Sequence, residues 1–121
     1  MAEQFDSSRP IYAQLVERLK AKILAGIYPP GGHLDSVRDL AAAAGVNPNT
    51  MQRALAELER TGLVYTQRTA GRFVTEDAAV IDSAKQELAH QQVGAFLRRM
   101  ERMGYDREQA AQLVRSWKEE A

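Results

Sequence analysis

Apolar residues recur along this chain with two different periods, and the changes of period mark out its elements. Between Pro10 and Gly26, Ile11, Leu15, Leu19 and Ile23 return every fourth residue, with Tyr12, Val16 and Leu24 widening the stripe. That spacing predicts an amphipathic helix. Ser7 and Ser8 offer N-cap oxygens, Pro10 stands where a missing backbone N–H costs nothing, and Gly26 suits a left-handed stop. The stretch from Gly26 to Gly32 is too rich in glycine and proline to continue the helix. His33-Leu34 can form a very short strand that pairs with a later hairpin.

From Asp35 the helical period returns. Asp35 and Ser36 are candidate N-caps, Asp39 complements the dipole of the first turn, and Val37, Leu40, Ala41 and Ala44 form the buried side. Gly45 supplies a turn, and Val46 is an apolar plug between two helices. Asn47-Pro48 is a strong start signal for a third helix. In that helix Met51, Ala54, Leu55 and Leu58 share one face, Asn49, Arg53 and Arg60 lie opposite, and Thr50 and Gln52 flank them. Thr61-Gly62 ends it. Leu63 to Gln67 then reads as a strand, Arg68 to Gly71 as a loop and Arg72 to Thr75 as the return strand.

Beyond Asp77 the character changes. Ile81, Ala84, Leu88, Phe96, Met100 and Met103 predict a long amphipathic helix over 78–103. Gly104 breaks it, and Asp106 with Gln109 forms a capping-box pattern for a last helix burying Ala110, Leu113, Val114 and Trp117. Two helices of this size cannot cover both of their apolar faces, so the same segment of a second chain is the economical cover. The expected architecture is mainly α with a small β-hairpin. A winged helix-turn-helix domain spans residues 1–76, and a helical dimerisation segment spans residues 77–121.

Composition alters this picture in one respect. The 121 residues are 45% hydrophobic and 26% charged, enough for a core and typical of a globular chain. With no cysteine, disulfide and thiolate chemistry are excluded. The first ten residues lack a signal-peptide pattern, and no apolar run reaches the length of a transmembrane helix, so a cytoplasmic protein without membrane association is expected. The 16 basic and 16 acidic side chains cancel. A winged helix-turn-helix places its second helix in the DNA major groove, but here global electrostatic steering is weak. Placement must then carry recognition: the outward part of the third helix shows Asn, Thr, Gln and Arg, which can bond base edges and phosphates.

The ordered set Pro10-Ile-Tyr-x-Gln, Gly26…Pro30-Gly31, Ser36-Val-Arg-x-Leu-Ala, Gly45-Val-Asn-Pro-Asn-Thr, Ala54-x-x-x-Leu-Glu, Gly62-Leu-Val and Phe73-Val resembles the DNA-binding domain of the GntR family of bacterial transcription regulators. The short C-terminal segment is similar in length and pattern to the YtrA-type branch, whose members dimerise through two helices. The resemblance implies a DNA contact by Arg38 at the start of the second helix, and contacts by Asn47, Asn49, Thr50 and Gln52 or Arg53 from the recognition helix. Two positions depart from the family: Asp35 replaces a usual proline, and the wing reads Arg68-Thr-Ala-Gly71 in place of Arg-Gly-x-Gly.

The expected function is a sequence-specific DNA-binding regulator, a repressor that occupies a palindromic operator as a homodimer. Arg38, Arg68, Arg72 and Arg60 would meet phosphates, while Asn49, Thr50, Gln52 and Arg53 would read bases. Blander roles stand beside these. Asn47 is also a helix cap, Arg53 could pair with Glu57 one turn on, and wing-tip arginines are often simply solvated. His33 and His90 lack further ligands at metal spacing, and no cofactor or catalytic set is expected, so the chain does not read as an enzyme. Trp117, Phe96 and the methionines could line a small-molecule effector pocket, although helical spacing more often means core. A protein-interaction module on the same scaffold is the competing class.

Overall fold

The computed structural model describes residues 4–120. In chain order these form α1 (Ile11–Leu24), α2 (Val37–Ala44), α3 (Pro48–Arg60), β1 (Val64–Gln67), β2 (Gly71–Val74), α4 (Ala78–Arg102) and α5 (Arg107–Ser116). Residue contacts divide the chain into two compact units, one running up to Ser83 and the other from Ala84.

In the first unit α3 packs against both α1 and α2. Leu15, Leu19 and Ile23 of α1 meet Leu40, Ala41 and Ala44 of α2 and Met51, Ala54, Leu55 and Leu58 of α3 in a single core, closed by Leu34, Leu63, Val64 and Val74. These are positions marked by the fourfold stripe and the shared faces; two further marked positions lie outside the core, Ile11 at 43% exposed and Val37 half-buried. Alanines at 41 and 44 let the backbones of α2 and α3 approach closely. Gly45, at φ 72, is in the left-handed region that turns the chain between them.

The helix starts divide into those the side chains explain and one they do not. Ser36 caps α2 by accepting from the Asp39 amide, at 3.1 Å. Asn47 caps α3 by accepting from the Asn49 amide at 2.7 Å, with Pro48 next in line. At α1 the expectation of a serine cap fails. Pro10 is the N-cap with no side-chain bond, and Ser8 instead turns its amide and hydroxyl to the Asp6 carboxylate. The start of α1 is held by Gln14, which is buried among apolar neighbours yet fully used. Its Nε2 donates to the carbonyls of Asp6 (2.7 Å) and Arg9 (3.1 Å), while its Oε1 accepts from the Asp6 amide (2.8 Å). A buried amide satisfied in this way fixes the approach of the preceding segment.

The hairpin pairs Val64 with Val74, Tyr65 with Phe73, Thr66 with Arg72 and Gln67 with Gly71. The expected strand at His33-Leu34 is present as a bridge: His33 pairs with Phe73, and the Leu34 amide donates to the Arg72 carbonyl at 2.9 Å.

In the second unit Asp106 and Gln109 form the full capping box at the start of α5. Burial here departs from the sequence expectation. Of Ala110, Leu113, Val114 and Trp117 only Ala110 is buried; Trp117 is 71% exposed and lies past the end of α5. α4 contains no buried residue. One copy of this segment leaves its apolar faces uncovered, because two helices cannot enclose them.

Candidate nucleic-acid interface

The start of α3 presents its polar residues outward because its apolar stripe is committed to the core. Asn49, Gln52 and Arg53 are exposed and Thr50 is half-buried. Asn47 spends its side-chain oxygen on the cap, which leaves its amide N–H groups free to donate outward. Arg38 stands in the first turn of α2, exposed and without an ionic or hydrogen-bonding partner among the described residues. Arg53 does not pair with Glu57. Glu57 is engaged by Arg60, whose Nε donates to it at 3.0 Å. This places Arg60 in an ion pair and holds the Glu57 carboxyl below its usual range. The Arg53 guanidinium lies instead over the ring of Tyr12, at 3.7 Å from the centroid.

The two wing arginines have different environments. Arg68 is exposed in the turn that joins β1 and β2. Arg72, half-buried, donates its Nε to Glu59 of α3 at 2.8 Å, and the Thr66 hydroxyl donates to the same carboxylate oxygen. Glu59 thus straps the hairpin to α3. Its carboxyl sits below the ordinary glutamate range, first because of the Thr66 hydrogen bond, against opposing partial burial, and then because of Arg72.

His33 ties the other side of the wing. Its Nε2 lies 2.9 Å from the Ala70 carbonyl, to which it donates, and its ring meets Phe73 edge-on at 5.0 Å. Gly71, at φ 98, completes this arrangement: a Cβ there would stand 2.8 Å from His33 Nε2. Among the described residues no non-glycine has a positive φ, so Thr69 fits the wing tip with ordinary backbone geometry. Glu59 and His33 carry roles that residue type alone did not reveal. The Glu59 pair spans 13 positions, so only the hairpin register brings it together.

A test of the strap follows from the sign of the Glu59 shift. A carboxylate with a lowered folded-state pKa stabilises fully above its unfolded value, about 4.3, and loses that stabilisation as pH falls through the folded value. Glu59→Gln should therefore destabilise the first unit by about 0.5–1.5 kcal/mol at pH 7. The gap from wild type should close as the pH falls below about 4, and urea denaturation at both pH values measures it. An equal gap at both would mean that the charge is not what holds the wing.

Among the described residues no helix is long and apolar enough to cross a membrane, and no group of three or more His, Cys, Asp or Glu side chains could hold a metal.

The chain resembles known proteins in this region and beyond it. The family model described as bacterial regulatory proteins, gntR family, matches residues 11–74, from the first turn of α1 to the end of the wing. An uncharacterized HTH-type transcriptional regulator of Bacillus subtilis, YhcF, is 35% identical over 119 residues, covering 98% of each chain. The B. subtilis HTH-type transcriptional repressor YtrA is 46% identical over 72 residues, 60% of this chain and 55% of the repressor. Among solved structures, a GntR family transcriptional regulator from Listeria monocytogenes matches with a TM-score of 0.84 and 39% identity, over 94% of this chain and 100% of that one. The DNA-binding domain of AraR, crystallised with operator ORX1, matches with a TM-score of 0.54 and 27% identity, over 62% of this chain and 93% of that one.

Proposed function

The chain belongs to the gntR family of bacterial regulatory proteins, and on that premise we propose that it is a repressor that binds a palindromic operator as a homodimer. The observation that carries this reading is the exposed polar start of α3, with the cationic Arg38 on α2 facing solvent without a partner among the described residues. Asn49, Thr50, Gln52 and Arg53 read base edges in the major groove, and the Asn47 amide, Arg38 and Arg68 set the register on phosphates. Arg72 serves this surface by holding the wing in place through Glu59. Repression follows from occupancy of promoter DNA.

The dimer part rests on residues 77–121. Leu113, Val114, Trp117 and Met103 are exposed, and a groove of about 770 Å³ runs beside Phe96, Met100 and Leu113. A second copy of the segment covers these faces and delivers two recognition helices about one helical turn of DNA apart. The resemblance to the YtrA repressor supports the sign of regulation. Relief of repression would need a ligand or partner that changes the spacing of the two readers.

Fluorescence anisotropy on a palindromic duplex from the protein's own promoter region tests the reading. Affinity should fall steeply and linearly with log salt, and Arg38→Ala should weaken binding about tenfold while reducing the slope by about one. If Arg38→Ala keeps the wild-type slope, Arg38 is not at the duplex. Binding that ignores salt altogether would favour a protein-interaction module on this scaffold.

A further inference from the structure

We propose that Tyr12 of α1 is a positioning residue for DNA recognition, its ring holding the Arg53 guanidinium of α3 in a fixed, stacked pose. The inference rests on the reading of Arg53 as a DNA contact and extends the recognition surface beyond the helix-turn-helix. Arg53 Cζ lies 3.7 Å from the Tyr12 ring centroid, a distance that places the cation directly on the ring. The ring is half-buried where α1 packs on α3, so it is itself held, whereas Arg53 is exposed.

The geometry divides the guanidinium into a used part and an available part. At 3.7 Å from Cζ to the centroid an N–H pointed straight at the ring would clash. The guanidinium therefore lies with its flat face on the ring, and its five in-plane N–H donors are left at the rim. Among the described residues no carboxylate competes for those donors: Glu57, one turn on, is held by Arg60, and Glu59 by Arg72 and Thr66. An unsupported arginine must lose its side-chain freedom when it meets DNA. One already stacked has given up much of it, so less is lost on binding. The same support fixes the direction of the donors, and bidentate base recognition depends on direction.

The test uses the full chain and a duplex that the wild-type chain selects from a randomised pool, with anisotropy titrations on that duplex and on its single-base-pair variants. Tyr12→Leu should weaken binding about three- to fivefold, in line with an exposed cation–π contact. It should also blunt discrimination at the base pair where Arg53→Ala does. Tyr12→Phe, which keeps the ring, should stay within about twofold of wild type. In an Arg53→Ala background Tyr12→Leu should cost nothing further, which separates positioning from a general effect on folding.

The proposal is overturned if Tyr12→Leu binds like wild type, or if it costs as much without Arg53 as with it. It is also overturned if Tyr12→Phe is as weak as Tyr12→Leu. Tighter binding by Tyr12→Leu would show that the stack holds Arg53 away from the duplex, and would overturn it too. Failure of the underlying reading looks different: Arg53→Ala would match wild type, or no duplex would be selected.

Discussion

Replacing Phe96 and Leu113 together by glutamate is expected to leave the chain monomeric at micromolar concentration and to weaken operator binding by about 100-fold or more. Both side chains line the groove of the second unit, where Leu113 is 44% exposed and Phe96 half-buried. Burying two carboxylates in an apolar contact without partners is prohibitive for association, whereas in a single copy both groups can reach water. The effect on DNA is indirect and large. Two readers on one particle engage the second half-site at an effective concentration near millimolar, an advantage of about 10²–10⁴ that a monomer forfeits. Sedimentation equilibrium reads the mass, and anisotropy reads the affinity for full and half operators. The half-site affinity should be unchanged, since α3 lies in the other unit. A variant that keeps the dimer mass would mean that this face is not the interface.

Leu55→Ala is expected to cost the first unit about 2–5 kcal/mol. Leu55 has no exposed surface and lies on the face of α3 that meets α1 and α2. Its truncation removes buried methyl groups and leaves a cavity that surrounding helices relax into only partly. Small domains have a total stability of about 5–15 kcal/mol, so the midpoint of thermal unfolding should fall by about 10 °C or more. Operator binding should fail with the fold and recover at temperatures where the variant remains folded, because no DNA contact has been removed. A urea titration measures the loss. A cost below about 1 kcal/mol would indicate that the site collapses around the smaller side chain.

The legible part of this protein is the part that period and capping control. The spacing of Ile11, Leu15, Leu19 and Ile23, the Ser36 and Asn47 caps and the turn at Gly45 locate the three helices of the first unit to within a few residues. The Asp106–Gln109 box does the same for α5. The outward face at Asn49, Gln52 and Arg53 follows from the buried face at once, since a helix has only one side left. The bridge at His33 was legible too, as a short polar-apolar pair ahead of a hairpin.

What escaped that reading depends on partners distant in sequence. Arg72 has the look of a free wing cation, yet the strand register brings it and Thr66 onto Glu59. Arg53 has a carboxylate at the favourable helical spacing, yet it lies on Tyr12, while Glu57 goes to Arg60. Gln14 stands inside an apolar stripe as an apparent exception, and only the folded chain shows its amide bonded to Asp6 and Arg9. Ser7 and Ser8 offered caps that α1 does not use. Leu113 and Val114 of α5, and Trp117 just past its end, have too little chain around them to be buried.

Local order along this chain comes from interactions a few residues apart, in which each residue's type and spacing already name its partner. That is why its helices, its turn and the outward polar face of α3 can be found from residues in order. Which charges remain free to meet DNA is a different question. It depends on contacts made across the fold, where a guanidinium has several carboxylates and rings to choose from, and packing selects among them. The choice of Glu59 for Arg72 and of Tyr12 for Arg53 is therefore a property of the tertiary structure alone.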